Sequence, residues 1–127
     1  MASELRVNTL KDASGNNSIA TSFVAQGSAK YFAMVTNSGT YAVANSLGTS
    51  SVTDDSAGNF TITGISAMEN TNQAAVGTCA FAASNPSNNN LACIMETTTT
   101  LAVETVNSSG TSADVANNEL VIHGDLA

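Results

Sequence analysis

Short runs of alternating apolar and polar residues, divided by clusters of Gly, Asn, Asp and Ser, fill the chain from Lys30 to its end. A period of two is the signature of strands. KYFAMVT (residues 30–36) is largely apolar and fits a buried strand, while TYAVANS (40–46) sets Tyr41 and Val43 among small residues. FTITGI (60–65) alternates Phe60 and Ile62 with Thr61 and Thr63, and the turn DDSAGN (54–59) joins it to GTSSVT (48–53) as a hairpin. No segment sustains a helical period, although SAMENTNQ (66–73) has room for one helical turn. Many short strands at close spacing predict an all-β fold, a compact antiparallel β-sandwich of jelly-roll-like type.

Two further pairs of strands complete this expectation. QAAVGTCAF (73–81) and LACIMET (91–97) flank AASNPSNNN, which holds the only proline, Pro86, among loop-forming residues. Paired as an antiparallel hairpin, they set Phe81 opposite Leu91, Cys79 opposite Cys93 and Gly77 opposite Met95, all on one face. TLAVETV (100–106) and NELVIHG (118–124) enclose NSSGTSADVAN, and Leu101, Val103, Leu120 and Ile122 form their inward set.

The first 29 residues follow a different rule. Leu5, Val7 and Thr9 alternate weakly with Arg6, Asn8 and Leu10 as a short strand; the turn formers DASGNNS (12–18) follow, then a second extended piece, IATSFVAQGSAK, ended by Gly27. Neither piece has the apolar density to fold alone, which points to another chain as its partner. The organisation is therefore an N-terminal arm, residues 1–29, and a β-sandwich domain, residues 30–127.

Composition sharpens the contrast. A chain of 127 residues is long enough for one domain with its own core. Charged residues are only 10%, so the surface is built mainly from Ser, Thr, Asn and Gly. All three bases, Arg6, Lys11 and Lys30, lie in the first thirty residues, whereas residues 31–127 hold eight of the ten acids and no Lys or Arg. That segment lacks the cations that nucleic-acid backbones or anionic membrane surfaces require. No run has the length of a membrane-spanning helix, and the N-terminus lacks the basic-then-apolar pattern of a secretory signal. The expectation is no nucleic-acid partner and no membrane insertion.

Candidate chemistry is sparse. Cys79 and Cys93, the only thiols, are within reach of a disulfide if directly opposed on paired strands, and otherwise read as small buried side chains. Their spacing, with one histidine elsewhere, is not that of a zinc site. His123, the only histidine, has the opposite parity to Leu120 and Ile122 in sequence terms, so it points to solvent or a subunit contact; no nucleophile is identified beside it. Asp54, Asp55 and Asn59 offer oxygens in a turn, but not with the spacing of an EF-hand loop, and Gly58, Gly64 and Gly110 suit turns and bulges rather than a phosphate cradle. Side-chain amides and hydroxyls suit sugar hydroxyls, yet only Tyr31 and Tyr41 are amphipathic aromatics for stacking. The reading is non-enzymatic, without cofactor or metal.

SELRVNTLKDASGNNSIATSFVAQGSAK (3–30) resembles the N-terminal segment of tail-fibre-like virion proteins of marine bacteriophages, including those of cyanobacteria. SSVTDDSAGNFTIT (50–63), with Ala67 and Met68 after it, is similar to that family's strand, acidic-Gly turn and aromatic strand unit. NSSGTSADVANNELVIHG (107–124) resembles its final hairpin. The resemblance implies a homotrimeric virion appendage, fibre-like or knob-like, made in the host cytoplasm and assembled on the particle. In that setting an arm carrying Leu5, Arg6, Val7, Leu10, Lys11, Ile19, Phe23, Val24 and Lys30 docks on neighbouring subunits or other virion proteins, while the acidic β-domain projects outward and contacts host surface glycan. Capsid decoration is the alternative within the same class, and a carbohydrate-binding or glycan-degrading module is the alternative outside it, recognisable by paired carboxylates in a groove.

Overall fold

The computed structural model describes residues 7–15, 18–64, 66–80 and 89–127. Leu5, Arg6, Phe81 and Pro86 lie outside the described residues. The arm holds β1 (Thr9–Lys11), β2 (Ser18–Ala20) and α1 (Thr21–Gly27); the domain holds β3 (Ala29–Asn37), β4 (Tyr41–Leu47), β5 (Thr49–Ser56), β6 (Asn59–Gly64), β7 (Ala74–Ala80), β8 (Asn90–Met95), β9 (Thr100–Val106) and β10 (Asn117–His123). The domain strands form two antiparallel four-stranded sheets in the orders β4-β3-β10-β7 and β5-β6-β9-β8. We refer to them as the first and second sheets.

One core lies between the sheets. Tyr31, Val35, Leu120 and Ile122 enter it from the first sheet and Phe60, Ile62, Leu101 and Val103 from the second. Each such burial contributes about 1.5–3 kcal/mol. The inward set expected on β9 and β10 is thus buried. KYFAMVT, in contrast, is buried on one face only: Tyr31, Ala33 and Val35 point inward while Met34 is exposed.

The β5–β6 hairpin forms as its alternation dictates, tightened to a two-residue turn at Ala57 and Gly58. Two other expected pairings do not form. β7 pairs with β10 and β8 pairs with β9, so Cys79 stands in register with Asn118, Gly77 with Leu120, Cys93 with Val103 and Met95 with Leu101. Likewise β9 and β10 lie in different sheets and are not a hairpin. Alternation specifies which face of a strand is buried and leaves its partner open; here β7 and β8 each pair with an inner strand of a different sheet, β10 and β9. They still meet at the open side of the sandwich, where Gly77 leaves room for Leu91: a Cβ at position 77 would lie 2.6 Å from Leu91 Cδ2. Three sheet neighbours (β3–β4, β5–β6, β8–β9) are adjacent in sequence. β10, the last strand, lies between β3 and β7, and pairs with both.

Ser66–Gln73 has no helical turn. Met68 instead makes a bridge with Leu126, its amide donates to Thr98 O at 2.7 Å, and its fully buried side chain joins the core cluster. The apolar Met68 is worth more inside the core than a short uncapped turn would be on the surface. No helix of the described residues is long and apolar enough to cross a membrane.

Candidate functional site: the arm and the outer sheet faces

The arm is not an extended peptide. β1 and β2 pair antiparallel, Leu10 opposite Ile19, so the two pieces expected to need another chain pair with each other. The second piece is strand only over Ser18–Ala20 and then turns into α1. Thr21 makes that change: its amide donates to Asn8 O at 3.0 Å and its hydroxyl reaches Val7 O at 3.1 Å, tying the helix start to β1. At the other end, Ser28 N donates to Val24 O at 3.1 Å, and the Lys30 ammonium donates to Ala25 O and to Ser28 Oγ. A cation there also meets the negative end of the helix dipole. A seven-residue helix without a side-chain cap is marginal by itself.

His123 joins the arm to the domain. Its Nδ1 lies 2.9 Å from Gly27 O, and because a carbonyl only accepts, Nδ1 carries the proton. Histidine thus serves an intrachain contact at the root of the arm.

None of the residues of α1 is buried. Phe23 is 72% exposed, and Val7, Leu10, Ile19 and Val24 also present much of their surface to solvent. Lys11 is exposed on β1. These five apolar residues and one base are exposed along the N-terminal hairpin and helix, which His123 ties to the domain, whereas Lys30 is turned back onto the helix terminus. Of the expected docking residues, Leu10 and Lys11 lie on β1, Ile19 on β2, Phe23 and Val24 on α1 and Val7 just before β1, all exposed, while Lys30 has an internal task.

The two outer sheet faces differ chemically. Across the first sheet, register places Leu47, Phe32, Val121 and Val76 in one row, one residue from each strand. A groove of about 430 Å³ runs beside it, lined by Phe32, Met34, Val76, Thr78, Glu119 and Val121 among others. Sequence reading did not single out this row. Each of its residues looked like ordinary strand filling, and only pairing across four strands assembles them.

Across the second sheet the corresponding rows are Thr53, Thr61, Ala102 and Ile94, and Ser51, Thr63 and Thr100. Asp55, Glu96 and Glu104 line a groove there of about 570 Å³. Thr61 donates to Asp55 Oδ2 and Ser112 to Glu104 Oε1, each at 2.7 Å, so two of these carboxylates are held by hydroxyls. Asp54 accepts the Tyr41 amide at 3.2 Å. No group of three or more His, Cys, Asp or Glu among the described residues is arranged to hold a metal ion.

Both thiols are free and half-buried, in different sheets, and burial pushes both up from their ordinary range. The directly opposed pair expected from a β7–β8 ladder is absent because that ladder is absent. Comparison with protein-family models, with curated proteins and with solved structures found no match.

Proposed function

We propose that this chain is a non-enzymatic structural protein of a bacteriophage virion, a small fibre-like or knob-like appendage docked through its N-terminal arm and assembled as a trimer. One observation carries the reading: a lightly tethered hairpin and helix display Val7, Leu10, Ile19, Phe23 and Val24 to solvent. Several large apolar groups exposed along one short segment favour a protein partner over water. The charge distribution supports the same orientation, since the bases are confined to residues 1–30 and residues 31–127 are uniformly acidic. Like-charged domains repel one another laterally while their arms dock.

In this reading the hydroxyl-rich outer face of the second sheet is turned outward and meets host surface glycan, weakly in each copy and with strength from many copies. A reconstruction of the intact particle by electron cryomicroscopy tests the proposal. Density on the tail, with the arm buried against a neighbour and the β-domain free, is the expected result. A position following the capsid lattice would assign shell decoration instead. Absence of the chain from purified particles would overturn the virion role.

A further inference from the structure

We propose that the outer face of the first sheet is the seat for the arm of a second copy of this chain. The inference deepens the reading above by naming what the arm grips, and rests on that reading for the arm's role in docking. Two exposed apolar surfaces occur among the described residues. One is the arm with Phe23, Val24, Leu10 and Ile19; the other is the row Leu47, Phe32, Val121 and Val76 with Met34 beside it and a groove along it. Val76 is 61% and Leu47 56% exposed, so the row is open at both edge strands.

Charge selects the occupant. Glu119 is the acid lining this groove, placed between Met34 and Thr78 in the ladder next to the apolar row. The chain's own cations lie only in residues 1–30, and Lys11 is exposed within the apolar part of the arm. An arm therefore offers what the face lacks: apolar side chains for the row and an ammonium for Glu119. The acidic remainder of a second copy offers no cation at all. In the monomer, α1 is anchored by its last residue to His123, at one end of β10, and leaves Phe23 in solvent. Its own face is not covered by it.

Such a contact joins different surfaces of two copies. It closes as a ring or a reciprocal exchange, and otherwise continues as a filament. A closed ring of three is the form that agrees with the proposed trimer.

Sedimentation velocity on the purified full chain tests this. The wild type is expected to self-associate with concentration, and Phe23→Ser on the arm and Val76→Glu on the face are each expected to weaken association by about tenfold or more. Both side chains are largely exposed, so neither variant endangers the fold. Glu119→Lys is expected to weaken association as well, and Lys11→Glu in the same chain to restore part of it. A wild type that stays monomeric up to roughly 0.1 mM, or association that survives both Phe23→Ser and Val76→Glu, overturns the inference. Failure here leaves a virion position intact, because particle density is read independently; absence from particles with association lost in both variants would overturn the virion role and leave this contact standing.

Discussion

The hydroxyl of Tyr41, on β4 of the first sheet, stands 3.2 Å from the hydroxyl of Thr105, on β9 of the second, and both side chains are buried. Thr105 Oγ1 also lies 2.8 Å from Ala113 O, to which it donates, so Tyr41 is the donor between the sheets. The Tyr41 ring rests on Phe60 with centroids 4.3 Å apart. Tyr41→Phe removes one bond and leaves Thr105 with its carbonyl partner, at an expected cost of about 0.5–1.5 kcal/mol. Thr105→Val removes one partner of the Tyr41 hydroxyl and the hydroxyl that donates to Ala113 O, and is expected to cost more, about 1–3 kcal/mol. Denaturant unfolding of the two variants gives the order.

The same two-sheet packing sets an alkaline limit. Burial raises Tyr41 and Tyr31 above the ordinary value of 10.0, and for Tyr41 it outweighs the hydrogen bonding with Thr105, Val115 and Asn37, which acts in the opposite direction. The folded state therefore favours the neutral phenols. Their contribution is complete below the unfolded pKa and is lost as pH rises from there through the raised folded values. An ultraviolet titration of phenolate should show both tyrosines ionising above pH 10 and together with unfolding.

Tyr31 and Gly64 make a separate test. The ring of Tyr31 lies against Gly64 so closely that a Cβ there would come 2.5 Å from Tyr31 Oη and 2.6 Å from Cε2. Gly64→Ala should cost about 1–3 kcal/mol through overpacking. The buried Tyr31 hydroxyl has no hydrogen-bond partner among the described residues. Tyr31→Phe should accordingly be neutral or stabilising, since it removes a desolvated hydroxyl that gains nothing in return. A fall in melting temperature would contradict this.

Proteolysis reads the arm directly. Trypsin cleaves after Lys or Arg, and beyond Lys30 there are none. Cutting after Lys11, exposed on the arm, should be fast, and cutting after Lys30, in β3 with its ammonium bound to the end of α1, should be slow. His123→Ala frees Gly27 O and should accelerate the second cut while leaving the unfolding midpoint of the domain within about 0.5 kcal/mol of wild type. Mass spectrometry over a time course distinguishes the two sites.

The thiols supply a last test. Raised by burial and half-covered, Cys79 and Cys93 should react slowly with a disulfide reagent at neutral pH in the native state and rapidly once unfolded. Two fast equivalents in the native protein would show a more open edge between β7 and β8.

Most of the architecture was legible because alternation is a local property. Phe60 and Ile62, Leu101 and Val103, Leu120 and Ile122 each face inward as the period of two requires. Pairing is not local: β7 and β8 each found a different neighbour, and β9 and β10 were divided between sheets, because the same alternating faces fit several partners and only the total apolar burial chooses among them. IATSFVAQGSAK carried no helical period, and the helix that begins at Thr21 depends on hydrogen bonds to Val7 and Asn8 more than ten residues away. The sequence by itself determined a β-protein with an acidic domain and all its bases at one end. Tertiary structure decided that the arm is a hairpin and helix rooted at His123, and that Leu47, Phe32, Val121 and Val76 become a single row, exposed at its two ends and half-buried between, since residues from four separate strands acquire a common surface only when the register is set.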